Sequence, residues 1–294
     1  MRRLSVPEWC CAIRFNNEEK CLIDDADTEF NVIENTLRYW CADPFVFSKD
    51  GKYYLFFEMF DRLKRKGLIG CREITDNRIG DIQVVFECEH HLSYPLVYEE
   101  DGNIYMLPEC EISGELFRLK CMHFPDVWVK DKVYIKERLA DTTRFEQNDI
   151  NYYLSEKVND EKIFDRLDLF YEKNGEFKEC KNNPVKIDIN SARCAGNLFE
   201  YNGRIIRPSQ NCGEEYGKKL NFNNVVSISE ENYSEELVKC VDVKDVHLNS
   251  DNIYSGIHTY NKLDKIEVID LKIPSNFNLL NIIGAVFKRL KIRT

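Results

Sequence analysis

From residue 43 the chain reads "DPFVFSKDGKYYLFFE", and from residue 94 it reads "YPLVYEEDGNIYMLPE". Apolar and polar positions alternate in both, with the period of two that sends every second side chain to one face of a strand. An acidic residue and a glycine break the alternation midway, the mark of a hairpin turn. Each stretch therefore predicts two antiparallel strands, and each closes on a glutamate. A third copy runs from 141 to 156, "DTTRFEQNDINYYLSE", with Asn-Asp in the turn and a slip of about one residue. A fourth, from 193 to 210, turns on Asn-Gly and ends on Gln210, and a fainter fifth starts at His258. Strand-like runs such as "LIGCREI", "IQVVFEC", "GELFRLK", "LDLFYEKNGEF" and "NVVSISE" lie between the copies.

Units of about fifty residues with four short strands each predict an all-β, five-bladed β-propeller. A β-sandwich is the simpler alternative, but it does not call for a repeated hairpin. The N-terminal run "EWCCAIRF" is expected to complete the last blade and close the ring, which removes exposed sheet edges. The propeller is assigned to residues 1–274 and a short C-terminal amphipathic helix to 275–294. "KVNDEKIFD" and "SEENYSEE" read as polar loops between blades.

Composition agrees with strands: the 294 residues include 15 Tyr and 18 Phe. The net charge of −10 has the wrong sign for a nucleic-acid binder. The 12 cysteines form no C-x-x-C pair, and the N-terminus has no apolar core of signal-peptide length. Free thiols and a cytoplasmic location are expected. No phosphate-loop, dinucleotide or nucleophile-elbow motif is present, so no cofactor and no metal are expected.

In a propeller the innermost strands of all blades line one channel, so the repeated hairpin ends should meet there. Asp43, Glu58, Glu109 and Asp141 are the candidate catalytic carboxylates. Two such groups, one protonated and one ionised, are the minimum for glycosyl chemistry. His91, Tyr94, Arg193, Asn197, Arg207, Gln210 and His258 are the candidate substrate-binding residues. The arginines suit an anionic group, and the amides suit sugar hydroxyls. Trp40 and Tyr39 could stack on a sugar ring. Glu156 is expected out of register, facing solvent.

The ordered motifs "CADPFVFSKDGKYYLFFE", "HLSYPLVYEEDGNIYMLPE", "FPDVW", "ARCAGNLF", "IIRPSQNCGEEYG" and "IHTYN" resemble the N-terminal domain family of plant glucosamine inositolphosphorylceramide transferases, over roughly residues 8 to 272. The resemblance implies a five-bladed propeller similar to glycoside hydrolase families 43, 32 and 68, and a place among bacterial relatives in surface-polysaccharide assembly. It carries over Asp43, Glu109, Arg193, Arg207 and Gln210 as pocket-facing positions. Tyr94 stands where family-43-like propellers generally hold an acid, so their Asp-Asp-Glu triad is not copied.

The expected function is a cytoplasmic, glycosyltransferase-type enzyme acting on a sugar or glycan, nucleotide-linked or lipid-linked. A glycoside hydrolase and a non-catalytic glycan-binding module are the alternatives. After Pro274 the chain becomes densely apolar and ends basic, with Ser275 or Asn276 as a helix cap. Packing of this helix on the propeller is expected ahead of peripheral contact with an anionic membrane.

Overall fold

The computed structural model describes residues 7–16, 20–24, 28–159, 163–274 and 278–290. The strands form five blades, antiparallel except where Phe30–Val32 runs parallel to Leu248–Asn249 in the fifth. Blade one holds Tyr39–Lys49, Lys52–Asp61 and Lys66–Thr75, with Arg78–Ile79 and Gln83–Phe86 both paired to its third strand. Blade two runs through Ser93–Glu100, Asn103–Glu109, Leu116–His123 and Val127–Ile135. Blade three has Leu139–Gln147, Ile150–Lys157, Arg166–Lys173 and Glu176–Glu179, and blade four has Phe199–Tyr201, Arg204–Asn211, Lys219–Ile228 and Tyr233–Asp242. The expected loop "SEENYSEE" therefore already enters the last strand of blade four at Tyr233.

Blade five joins the chain ends. Tyr260–Leu263 and Ile266–Ile273 pair with each other, and Glu8–Phe15 then pairs with Ile266–Ile273 along all eight of its residues, Glu8 opposite Ile273 and Phe15 opposite Ile266. The apolar faces of the strands pack between neighbouring blades. Phe56 and Ile69 of blade one meet Met106, Leu119 and Trp128 of blade two. Leu220 and Phe222 of blade four meet Ala12 and Ile269 of blade five. All twelve cysteines are free.

A helix, Leu279–Leu290, follows. The caps expected at Ser275 or Asn276 lie outside the described residues, and Asn278 Oδ1 accepts the Leu280 N–H at 2.9 Å. The helix packs on the propeller through Asn281 and Gly284. Asn281 donates to Glu8 Oε1 at 2.8 Å and its carbonyl accepts from Arg65 at 3.2 Å. At Gly284 a Cβ would sit 2.2 Å from the Arg62 carbonyl oxygen, so only glycine allows this approach.

Candidate functional site: an axial ring of carboxyls

The first strands of blades one, two and three carry the same defect at the same place. Asp43, Tyr94 and Asp141 have positive φ of 47°, 46° and 47°, and the pairing register slips at each of them. This is a β-bulge, which re-aims one side chain and frees its N–H from the ladder. For a tyrosine the left-handed region is a true outlier and needs support from its surroundings. The support is a relay of carboxylates. The Asp43 N–H donates to Asp270 Oδ2 at 3.0 Å, and the Tyr94 N–H to Asp43 Oδ2 at 3.3 Å. The Asp141 N–H donates to Glu109 Oε2 at 2.9 Å. Each bulge thus binds an acid of the blade before it.

The glutamates sit beside the bulges. Glu58 pairs with Ala42, Glu109 with Ser93 and Glu156 with Ala140. Glu156 is therefore in full register and buried, not solvent-facing as the shifted turn suggested. The later turn of the third copy is absorbed inside its hairpin and leaves the strand ends aligned.

Two groups form around the axis. In the first, Arg193 reaches from blade four into the acids. Its Nε lies 2.7 Å from Asp141 Oδ2, its Nη1 pairs with Glu156, and its Nη2 is 3.9 Å from Glu109. Phe164 and Tyr216 flank the guanidinium, 5.1 and 5.6 Å from it. Gln210 donates to Asp141 Oδ2 at 2.9 Å. Burial, then the Glu109 charge, raise the Asp141 carboxyl well above the usual range against the pull of Arg193. Burial also works to raise Glu109, but Arg193 and hydrogen bonds from Asp141 overcome it and hold this carboxyl low. Two adjacent acids cannot both ionise freely, and here the proton stays on Asp141.

The second group is Asp43, His258 and Asp270. His258 Nδ1 lies 2.6 Å from Asp270 Oδ2, and its Nε2 lies 3.7 Å from Asp43 Oδ1. Trp9 stacks on the His258 ring at 3.8 Å. Burial pushes Asp43 up to about 7; His258 opposes this, while Asp270 and Glu58 add to it. The ligand atoms of Asp43, His258 and Asp270 lie within 4.8 Å of one another and could converge on a cation. The same oxygens already accept bonds, Asp43 Oδ1 from Thr259 Oγ1 at 2.7 Å and Asp270 Oδ1 from the N–H groups of His258 and Thr259 at 3.0 and 2.9 Å. These bonds tie the two acids to the Thr259 segment, while buried His258 Nδ1, though close to Asp270, has no aligned hydrogen bond among the described residues.

Glu58 faces His91, Oε1 to Nε2 at 3.3 Å. The Gly67 N–H donates to His91 Nδ1 at 2.9 Å, so the ring carries its proton on Nε2, towards the acid. Glu58 Oε1 and the nearby Trp40 Nε1 are buried without an aligned hydrogen-bond partner among the described residues. Trp40 stacks on Phe60 at 4.6 Å, which places it against the protein rather than free for a sugar ring.

Tyr94 closes the floor from below: its hydroxyl accepts the Gly196 N–H at 2.6 Å and bonds Thr143 Oγ1 at 2.7 Å. The structure thus brings Asp43, Glu58, Glu109, Asp141, His91, Tyr94, Arg193, Gln210 and His258 to the axial region. Asn197 is half-buried, with its N–H bound to Asn261 Oδ1 at 2.7 Å. Arg207 is not in the ring. It is fully buried inside blade four, with Nη2 2.6 Å from Glu235 Oε1 and further donors on the Ser191 and Ala192 carbonyls. Sequence reasoning missed Asp270, Thr259, Tyr216 and Trp9. Asp270 left a signal, an acid in the middle of the apolar run "IEVIDLKI".

Solved structures with this fold act on sugars by their names, at identities that speak for the fold alone. The catalytic domain of a Coprinopsis cinerea GH62 α-L-arabinofuranosidase aligns at TM-score 0.58 and 9% identity, covering 92% of this chain and 98% of that one. Zg3597, a family 117 glycoside hydrolase from Zobellia galactanivorans, aligns at 0.54 and 10%, covering 92% and 91%. In sequence, glucosamine inositolphosphorylceramide transferase 1 of Arabidopsis thaliana is 31% identical over 202 residues, 66% of this chain and 26% of that protein. The Oryza sativa subsp. japonica protein of the same name is 29% identical over 202 residues, 66% and 27%. The chain spans about a quarter of the length of these curated relatives. The model of the N-terminal region of glucosamine inositolphosphorylceramide transferase 1 matches residues 32–272, and the chain belongs to that family.

Proposed function

We propose that the chain is a carbohydrate-active enzyme that makes or remodels a glycosidic bond in the assembly of a bacterial surface polysaccharide. The observation that carries this reading is the split between two axial acids. Asp43 holds its proton up to about pH 7, while Arg193 keeps Glu109 ionised. Glycosyl chemistry needs one carboxyl to protonate the departing oxygen and another to stay charged as base or nucleophile. Asp43 takes the first role and Glu109 the second. Asp141 and Arg193 set the charge of Glu109, and Asp270 orients His258 beside Asp43. Glu58, paired only with His91 among the described residues and without an aligned hydrogen bond on Oε1, suits a sugar hydroxyl. The family supports sugar transfer, and the donor we propose is a nucleotide-linked or lipid-linked sugar. We place the protein in the cytoplasm, at a membrane surface. No helix among the described residues is long and apolar enough to cross a bilayer.

The likeness to sugar-cleaving propellers favours one second reading, hydrolysis. Labelled oligosaccharides incubated with and without nucleotide-sugar donors separate the two. Transfer predicts an elongated product that depends on the donor; release of sugar without a donor makes the chain a hydrolase. In either case Glu109→Gln should lower turnover by about a hundredfold or more while affinity changes little. Full activity in that variant overturns the assignment. Glycan binding with no turnover would leave a binding module.

A further inference from the structure

We propose that the Leu63–Lys66 turn and the C-terminal helix together form a docking surface for an anionic bilayer. The first observation is charge. The chain is net −10, yet "RLKRK" at 62–66 and "FKRLKIR" at 287–293 are densely basic. Although more than 200 residues apart in sequence, their described parts meet in space. Lys64, Arg65, Lys66, His90, His91 and Lys288 line one groove of about 510 Å³. Glu87 serves both Lys64 and Lys66, at 2.7 and 3.1 Å, and Glu89 lies 3.2 Å from His90. Arg65, Lys288 and Arg289 have no carboxylate partner among the described residues.

The second observation is the way the helix faces. An amphipathic helix that serves only packing turns its apolar stripe to the core. This one does the reverse. It buries Asn281 and Gly284 against the propeller and leaves Leu279, Val286 and Leu290 exposed by 61%, 45% and 64%. Those three, with half-buried Ile283, fall at helical spacing on one stripe. Exposed Ile112 lines the same groove, and exposed Leu37 gives its carbonyl to the Arg62 that carries the helix. An apolar stripe with cations beside it suits the headgroup boundary of a bilayer rich in anionic lipid, where a helix lies in the plane.

The docking face adjoins the axial floor, because His91 belongs to the groove and faces Glu58 at 3.3 Å. A lipid-linked sugar would then arrive at the channel mouth. That purpose rests on the functional reading above; the docking does not.

Sedimentation of the full chain with vesicles of phosphatidylcholine, with and without phosphatidylglycerol, tests it. Binding is expected only with the anionic lipid and should weaken with salt. Lys288→Gln with Arg289→Gln should reduce it about 25-fold, at roughly fivefold per charge. Leu279→Ser with Val286→Ser and Leu290→Ser should abolish it, with circular dichroism unchanged because all three side chains face out. Absence of pelleting, equal binding to neutral vesicles, or full binding by the serine variant would overturn the proposal. So would a dimer in light scattering that the serine variant dissolves, which would give the stripe to a second copy. If vesicles bind while no sugar is ever transferred or released, the docking stands and the enzymatic reading falls.

Discussion

With φ at 47°, Asp43 turns off its ladder and into a space shared with Asp270, His258 and Glu58. An aspartate in an unfolded chain titrates near 4; this one titrates at about 7, chiefly because it is buried. Between those values the folded protein keeps a proton that the unfolded chain has released. The stability this group contributes is therefore full below about pH 4 and is lost as pH rises through 7. Asp141, also raised, acts with the same sign. Glu235 acts with the opposite sign: Arg207 outweighs burial and holds it at about 2, so its contribution is present at neutral pH and fails only in acid. Asp43→Asn removes one titration and should flatten the loss of stability between about pH 4 and 7, read from urea midpoints at several pH values. An unchanged slope would assign the effect to the other groups raised on folding, Asp141, Glu156, His91 and His258. The sequence reading reached Asp43 because its position repeats in blades two and three. It missed Asp270, which has no repeated counterpart, and misjudged Glu156 by following the turn instead of the strand ends.

Among the elements, hairpins were legible because period-two alternation and acidic-Gly turns are written locally. The bulges were not, since one extra residue between apolar positions leaves the alternation readable on both sides. Yet the bulges decide which groups face the axis. Nor could periodicity tell that the helix would bury its polar side, because that choice is made by a tertiary contact at Gly284. The seam between blades one and two depends on a glycine in a similar way. A Cβ at Gly67 would lie 2.2 Å from the Leu92 carbonyl oxygen and 3.0 Å from both Glu58 Oε1 and His91 Cε1. The carbonyl cannot yield as a flexible side-chain end would. Gly67→Ala should cost roughly 1–3 kcal/mol as overpacking of a tight seam. It should also push His91 off Glu58, which histidine NMR titration would register as a changed pKa. A variant with native stability and an unmoved His91 titration would show that the seam opens freely.

For the molecule as a whole, closure of the ring was readable from "EWCCAIRF", an apolar strand at the end of the chain opposite an unfinished blade. What the pattern did not reveal is how much that strand holds beyond blade five. Glu8 receives both Nε and Nη2 of buried Arg62, at 2.9 and 2.8 Å, across to blade one. Arg14 binds buried Glu267, with Nε and Nη2 at 2.8 and 2.7 Å from Oε2. Trp9 covers His258, and Cys10, Cys11, Ala12 and Ile13 are all core. Deleting residues 1–16 would leave Arg62 and Glu267 as buried charges without these partners. Breaking one buried pair costs about 3–5 kcal/mol, and whole domains are stable by only about 5–15 kcal/mol. Two broken pairs, an open sheet edge and a lost core strand together exceed that margin. The deletion should therefore abolish the entire propeller rather than fray one blade. Near-UV circular dichroism should be lost, and limited proteolysis should cut blades one to four as readily as blade five. If a protease-resistant fragment spanning blades one to four survives, the blades are independent, and the closing strand is a local clasp rather than a condition of the fold.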